Sequence, residues 1–138
     1  MMATFDVDGL DDLALSLSEI SAIPEDIQDE ILTAQADVLI PEIQERGRGY
    51  GVERSGMTLR SIKKGKAKKG KNGRTLVVAP RGRNKKKVSY SEVAFLNNYG
   101  SRKQAARPFF TDAVAVSEQT MHKAAERIYD RWLKSKNL

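Results

Sequence analysis

"KKGKAKKGKNGRTLVVAP", residues 63–80, decides the fold class. Asn72-Gly73 is a dipeptide that accepts the positive backbone angles of a tight hairpin turn. The run after it, Thr75 to Ala79, is β-branched and apolar, and Pro80 ends it because proline cannot donate to a ladder. The spacing predicts a β-hairpin with arms near 61–68 and 74–79. The first arm is so rich in lysine that it reads either as an edge strand, where lysine discourages stray pairing, or as a mobile loop.

Helical periodicity lies on both sides of this hairpin. Residues 7–21, "VDGLDDLALSLSEIS", place Leu10, Leu13, Leu17 and Ile20 at three- and four-residue spacing after Asp8, which predicts a short amphipathic helix. From Ile23, "IPEDIQDEILTAQADVLIPEIQERGRGYG" sets Pro24 at a helix start, acids in the first turn, and Ile27, Ile31, Ala34 and Val38 on one stripe. Pro41 should kink or end this helix, and Gly47, Gly49 and Gly51 should stop it. "RSGMTLRSIKKG" offers Ser55 as a cap before Met57, Leu59 and Ile62. After a second basic loop, "VSYSEVAFLNNYG" should begin as a strand and finish as a short helix ended by Gly100. Pro108 opens the last helix, whose stripe is Phe110, Val114, Met121, Ala125, Ile128 and Trp132, with Lys134 and Lys136 at its cation-favouring end.

The expected architecture is therefore α+β: a small antiparallel sheet with a basic β-hairpin, packed against a long N-terminal helix and a C-terminal helix. At 138 residues the chain fits one domain. It divides into an acidic helical part (1–51), a basic hairpin and loop (61–87) and the C-terminal helix (108–136).

The net charge of +6 conceals a strong asymmetry. Residues 1–45 carry twelve acids and no Lys or Arg, whereas residues 46–87 carry sixteen cations against Glu53 alone. Segregated blocks of this kind pair with each other or face different partners, and they are a hint of nucleic-acid contact or directed assembly. No apolar run is long enough to span a membrane, and the first residues are acidic where a signal peptide would be basic. We expect the protein to be made and used inside a cell, or inside something assembled there, with no membrane partner.

Chemistry is sparsely provided for. Cysteine is absent, which excludes disulfides and thiolate metal sites, and His122 is the single histidine. The carboxylates from Asp6 to Glu45 have the spacing of a solvated helix face. "RGRGYG" and "KKGKAKKGKNG" both lack the Lys-Ser/Thr ending of a phosphate loop. We expect no catalytic residue, no metal and no cofactor. The basic tract is the stronger candidate, through Lys63, Lys64, Lys66, Lys68, Lys69 and Lys71 on the hairpin and Arg81, Arg83, Lys85, Lys86 and Lys87 on the loop. Such a tract attracts phosphate backbones without reading bases. With only Tyr50 and Tyr90 in or beside it, stacking on single strands is not indicated. The tract reads equally as a solvated hairpin tip, or as an arm that docks on the acidic helices of a neighbouring copy.

The order of several short motifs resembles that of the head–tail joining proteins of long-tailed phages, the family also called tail-completion or neck proteins. "SGMTLRSI", residues 55–62, matches one family segment with one extra residue between Gly56 and Leu59. Ala94, Phe95, Leu96, Tyr99 and Gly100 match a second, with Ser101 in place of Thr and Asn98 where the family usually has Glu. Arg107, Pro108 and Phe109 match the Pro-Phe that opens the last helix. The similarity runs from about Ile27 to Trp132.

The resemblance implies a non-enzymatic α+β subunit that forms a ring, with six copies as the expected number, between the portal or connector proteins and the tail tube or terminator. Double-stranded DNA would pass through its centre without sequence recognition. It also implies a place in the virion neck, after assembly in the host bacterial cytoplasm. Phe95, Tyr99, Gly100, Arg107, Pro108, Phe109 and Phe110 are then expected at subunit interfaces or as anchors of the last helix, although burial statistics favour the domain's own core for Phe95 and Phe110. We expect loop 101–106 to be exposed and to contact a neighbour. The alternative reading is a small basic accessory protein that binds nucleic acid directly through residues 63–87.

Overall fold

The computed structural model describes the backbone of residues 3–8 and 12–17 and the full chain at 23–52, 56–70 and 73–136. The elements follow in the order β1 (Ala3–Asp8), β2 (Asp12–Leu17), α1 (Glu25–Tyr50), α2 (Met57–Arg60), β3 (Ile62–Lys64), β4 (Lys68–Gly70), β5 (Gly73–Pro80), α3 (Tyr90–Tyr99) and α4 (Phe109–Ser135). The strands make one antiparallel sheet ordered β1-β2-β5-β3, with β4 pairing the first part of β5 beside β3. The protein is thus α+β, with a long N-terminal helix, a small sheet and a C-terminal helix.

Both expected arms of the basic hairpin are present. Lys64 stands opposite Val78 and Lys68 opposite Thr75, so the lysine-rich arm carries one residue more than its partner. This extra residue is a bulge that splits the arm into β3 and β4, and Gly65 N still donates to Val77 O at 2.8 Å across it. Lys71 and Asn72 lie outside the described residues.

The short helix expected over 7–21 is corrected: Val7 and Asp8, the expected cap, end the strand β1, and Asp12–Leu17 form the strand β2, paired with β1 on one side and β5 on the other. Leu13 and Leu15 stand in register with Val78 and Leu76. Leu13, Leu15 and Leu17 carry a period of two as well as the helical spacing, and β5 settles the matter because its second edge needs a ladder partner for its N–H and C=O groups. Leu10 and Ile20 lie outside the described residues.

α1 runs unbroken through Pro41. Pro41 and Asp37, whose carbonyl loses its helical donor, are both exposed, so water satisfies what the proline cannot. Gly47 and Gly49 are helical, and only Gly51 stops the helix, in the left-handed conformation with φ 73°. Its buried residues are Ile31, Leu32, Gln35, Ala36, Leu39, Ile43 and Gly47, with Ile27, Ala34, Val38 and Ile40 packed partly against them. At about 100° per residue these cover well over half the helix circumference. The breadth has a cause: α1 meets the sheet on one side and α4 on another.

The two helices do not share one sheet face as independent neighbours. α4 lies chiefly against α1 and presents a single stripe, Phe109, Ala113, Ser117, Met121, Ala125 and Ile128. Glu30 pairs with Arg131 at one end and Tyr50 with Asp112 at the other, about 30 Å apart along each helix, so the pair is antiparallel over its length. On the other side Arg74 meets Asp29 and Lys64 meets Asp37, about 12 Å apart on α1 and about 13 Å apart along β5. β5 therefore runs beside α1 in the same direction. Leu76 and Val78 join the residues of α1 and α4 in one continuous core.

Segment 88–100 differs from expectation at its start. α3 is helical from Tyr90, and its strand character reduces to an isolated bridge between Arg83 and Ser89. Ser89 Oγ accepts Glu92 N at 3.1 Å, the first half of a capping box whose Ser-x-x-Glu spacing is visible in the sequence. Gly56, with φ 73°, holds the cap position of α2, while Ser55 lies outside the described residues.

Candidate functional site

The stretch from Ala94 to Val114 is a joint at which three helices meet. α3 ends at Gly100, whose φ of 82° suits glycine, and a Cβ there would stand 2.8 Å from Ala106 N. Ser101 and Gln104 bridge each other, and Asn97 holds the base of the loop: its Oδ1 accepts Gln104 Nε2 at 3.1 Å and its carbonyl accepts Arg107 N at 2.6 Å. α4 starts after Pro108 with no cap from its own chain segment. Asn98 supplies one: its Oδ1 accepts Phe110 N at 3.1 Å and Thr111 N at 3.3 Å. The end of α1 is tied to the same point, since Arg107 Nη1 donates to Gly51 O at 3.1 Å and the Tyr50 hydroxyl donates to Asp112. That hydrogen bond, reinforced by burial and by the Asp112 charge, raises Tyr50 above its ordinary value of 10.0.

The expected anchor residues divide across this joint. Phe109 and Phe110 are buried in the core, rings 5.3 Å apart and edge to face. Arg107 and Pro108 are half-buried, and Gly100 closes the turn. Phe95 is half-buried outside the core cluster, its ring 4.9 Å from that of Tyr99, which is 48% exposed. In loop 101–106 every residue but Gln104 is exposed.

The large apolar side chains left exposed among the described residues are Tyr50, Met57, Leu96, Tyr99 and Val116. They come from the end of α1, from α2, from the second half of α3 and from the early turns of α4, the elements that the joint draws together. These exposed apolar side chains are interspersed with the cations Arg48, Arg60, Arg102 and Lys103. A shallow cleft of about 210 Å³ is lined, among the described residues, by Gln44, Arg48, Gly56, Leu59 and Arg60, none of which carries a carboxylate, imidazole or hydroxyl group for acid–base work.

The sheet and the second basic loop are charged. Arg74 grips Asp29 with Nε and Nη2 at 2.7 and 2.8 Å, and this pairing raises the arginine further above its usual value. Lys64 donates to Asp37. Part of the charge asymmetry along the chain is thus neutralised within one molecule, between the sheet and α1. Lys63, Lys66, Lys68, Lys69, Arg81, Lys85 and Lys86 are exposed and form no ion pair with a described residue. Arg83 donates to Lys87 O at 2.8 Å, and Asn84 Oδ1 accepts Lys86 N and Val88 N, so the second basic loop is an ordered turn. Among the described residues His122 pairs with Glu126 alone, at 2.9 Å on an exposed face. Among the described residues no group of three His, Asp or Glu side chains is placed to hold a metal ion, and no helix is long and apolar enough to cross a membrane.

Sequence reasoning located the joint but missed the residues that lock it. Asn97 and Asn98 are exposed-looking polar residues at a helix end, and nothing in their spacing to Arg107 and Phe110 announces a long-range cap. The Tyr50–Asp112 contact depends on the antiparallel packing of α1 and α4, which no local pattern encodes. No protein-family model, curated protein or solved structure matches the chain.

Proposed function

We propose that the chain is a non-enzymatic structural subunit that closes into a ring at the head–tail junction of a tailed phage or prophage particle, joining or completing the tail while double-stranded DNA passes through. The observation that carries this reading is that large apolar side chains, among them Leu96 and Tyr99 on α3, stay exposed on helices whose joint is fixed by hydrogen bonds. About half of each side chain is still open to solvent, and covering that apolar area favours association. Aromatic anchors held on a rigid frame suit a permanent contact, because little freedom is lost on binding.

The motif order supports the same reading. At Asn98, where the resemblance expects Glu, the amide oxygen serves as the acceptor for the start of α4, a task a carboxylate performs equally well at a helix N-terminus. The departure thus keeps the local chemistry. Heterologous contacts between copies would close the ring, one face meeting the portal or connector and the other the tail tube or terminator.

The test is assembly. Native mass spectrometry of the purified chain, alone and with the head and tail proteins encoded beside it, should give a closed oligomer, with six copies expected. Particles made without the protein should appear in electron micrographs as separate filled heads and tails. A second reading, a small accessory protein that binds nucleic acid as a monomer, draws on the exposed lysines of the hairpin and predicts duplex binding without any oligomer.

A further inference from the structure

The basic residues of the hairpin stand on two sides of the sheet and do different things. Alternation along β5 puts Arg74, Leu76 and Val78 on the side covered by α1. Lys64, opposite Val78, shares that side, and both cations there are paired with carboxylates of α1. Lys63, opposite Ala79, and Lys68, opposite Thr75, fall on the other side. Both are exposed, and neither meets a described carboxylate. Their stations on β5 are about 13 Å apart.

Arg81 joins them from the second basic segment. Its N donates to Ser61 O at 3.0 Å, and a Cβ built on Gly65 would stand only 2.9 Å from Arg81 Nη2. The missing side chain at Gly65 lets the guanidinium lie over the bulge between β3 and β4, and hence between the two lysines. Thr75 and Val77, between Lys63 and Lys68 on β5, are half-buried and small. Among the described residues, the exposed large apolar side chains lie on α1, α2, α3 and α4 and none on this side of the sheet, where a protein partner would need an anchor. Register puts Asp6, Asp8 and Asp12 on the same side of the sheet, but on β1 and β2, across β5 from these cations. A row of cations along the β3–β4 edge suits a sequence-independent phosphate backbone.

We infer that Lys63, Lys68 and Arg81 form a contact site for the phosphate backbone of double-stranded DNA on the sheet side turned away from α1, whereas Lys64 and Arg74 serve the fold. This deepens the ring reading and rests on it, because it names the surface turned to the DNA in the lumen. Fluorescence anisotropy of a labelled mixed-sequence duplex, titrated with the full chain at several salt concentrations, tests it. The slope of log affinity against log salt should fall in magnitude by about 2.7 in the triple variant K63Q/K68Q/R81Q, at about 0.9 per cation. K64Q, whose lysine already has a partner, should keep the wild-type slope, and circular dichroism melts check that both variants fold.

The inference is overturned if wild type shows no duplex binding at low salt, if the triple variant keeps the wild-type slope, or if K64Q loses as much. Binding of polyglutamate in place of duplex overturns it in favour of an acidic protein. Native mass spectrometry on the same samples separates the two claims. Oligomers whose duplex binding ignores these three cations refute the site alone, and a monomer whose binding depends on them refutes the ring alone.

Discussion

Asn98 Oδ1 accepts the backbone amide of Phe110 at 3.1 Å, so the last turn of α3 caps the first turn of α4. The same side chain donates from Nδ2 to Thr111 Oγ1 at 3.2 Å, which fixes the amide's orientation. A helix start leaves backbone N–H groups without partners, and Pro108 has no side-chain acceptor to offer. Removing the cap should therefore be felt at the helix and at the loop together. Asn98→Leu should lower stability by about 1–2 kcal/mol in urea unfolding. Asn98→Asp, which keeps the acceptor and adds a charge favoured by the helix dipole, should hold stability near wild type.

Gln35 is 2% exposed in the core, and its Oε1 finds no partner among the described residues. A buried acceptor left unsatisfied costs about 1–3 kcal/mol. Gln35→Met preserves the length of the side chain and removes the polar atom, so its urea midpoint should rise. A fall would mean that the amide oxygen has a partner in solution.

Gly47 is helical and buried, and a Cβ there would stand 2.3 Å from Leu59 Cδ2. Alanine improves helix propensity by about 1 kcal/mol, but overpacking a tight contact costs about 1–3 kcal/mol. Gly47→Ala should therefore destabilise wild type, and it should stabilise a Leu59→Ala background, where the obstructing methyl groups are gone. This reversal of sign in a double-mutant cycle identifies the contact.

The raised Tyr50 hydroxyl gives a pH signature. The native state holds this proton where the unfolded chain releases it, so the contribution is fully present below about pH 10, the unfolded value, and is lost as pH rises through the native value. The stability difference between wild type and Tyr50→Phe, measured by urea titration, should be constant through neutral pH and shrink only in this alkaline range.

The parts of the fold that sequence made legible are those with a local cause. Pro24, Gly100 and Pro108 mark helix boundaries because each constrains its own backbone, and the second hairpin arm follows from its β-branched residues ended by Pro80. The misreadings share a different cause. At Leu13 to Leu17 two periodicities coexist, and the choice belongs to β5, far away in sequence. Pro41 survives within α1 because it lies on the exposed side, a fact set by how the helix packs. At the site, charge segregation was visible along the chain, but which cations are spent on α1 depends on sheet register. Lys63 and Lys64 are adjacent in sequence and stand on opposite sides of the sheet.

Leu96 and Tyr99 are 44% and 48% exposed and contribute little to the isolated domain's core. Replacing both with lysine should leave the melting curve of the domain nearly unchanged, as surface substitutions usually do. The effect belongs to association: the double variant should remain monomeric under conditions in which wild type assembles.

Native mass spectrometry of the wild-type chain, recorded alone and then with the head and tail proteins proposed as its partners, tests the central claim most directly. The account predicts a single closed oligomer, six copies being the expected number, that is lost in the Leu96→Lys/Tyr99→Lys variant. A wild-type chain that stays monomeric in both samples would contradict it.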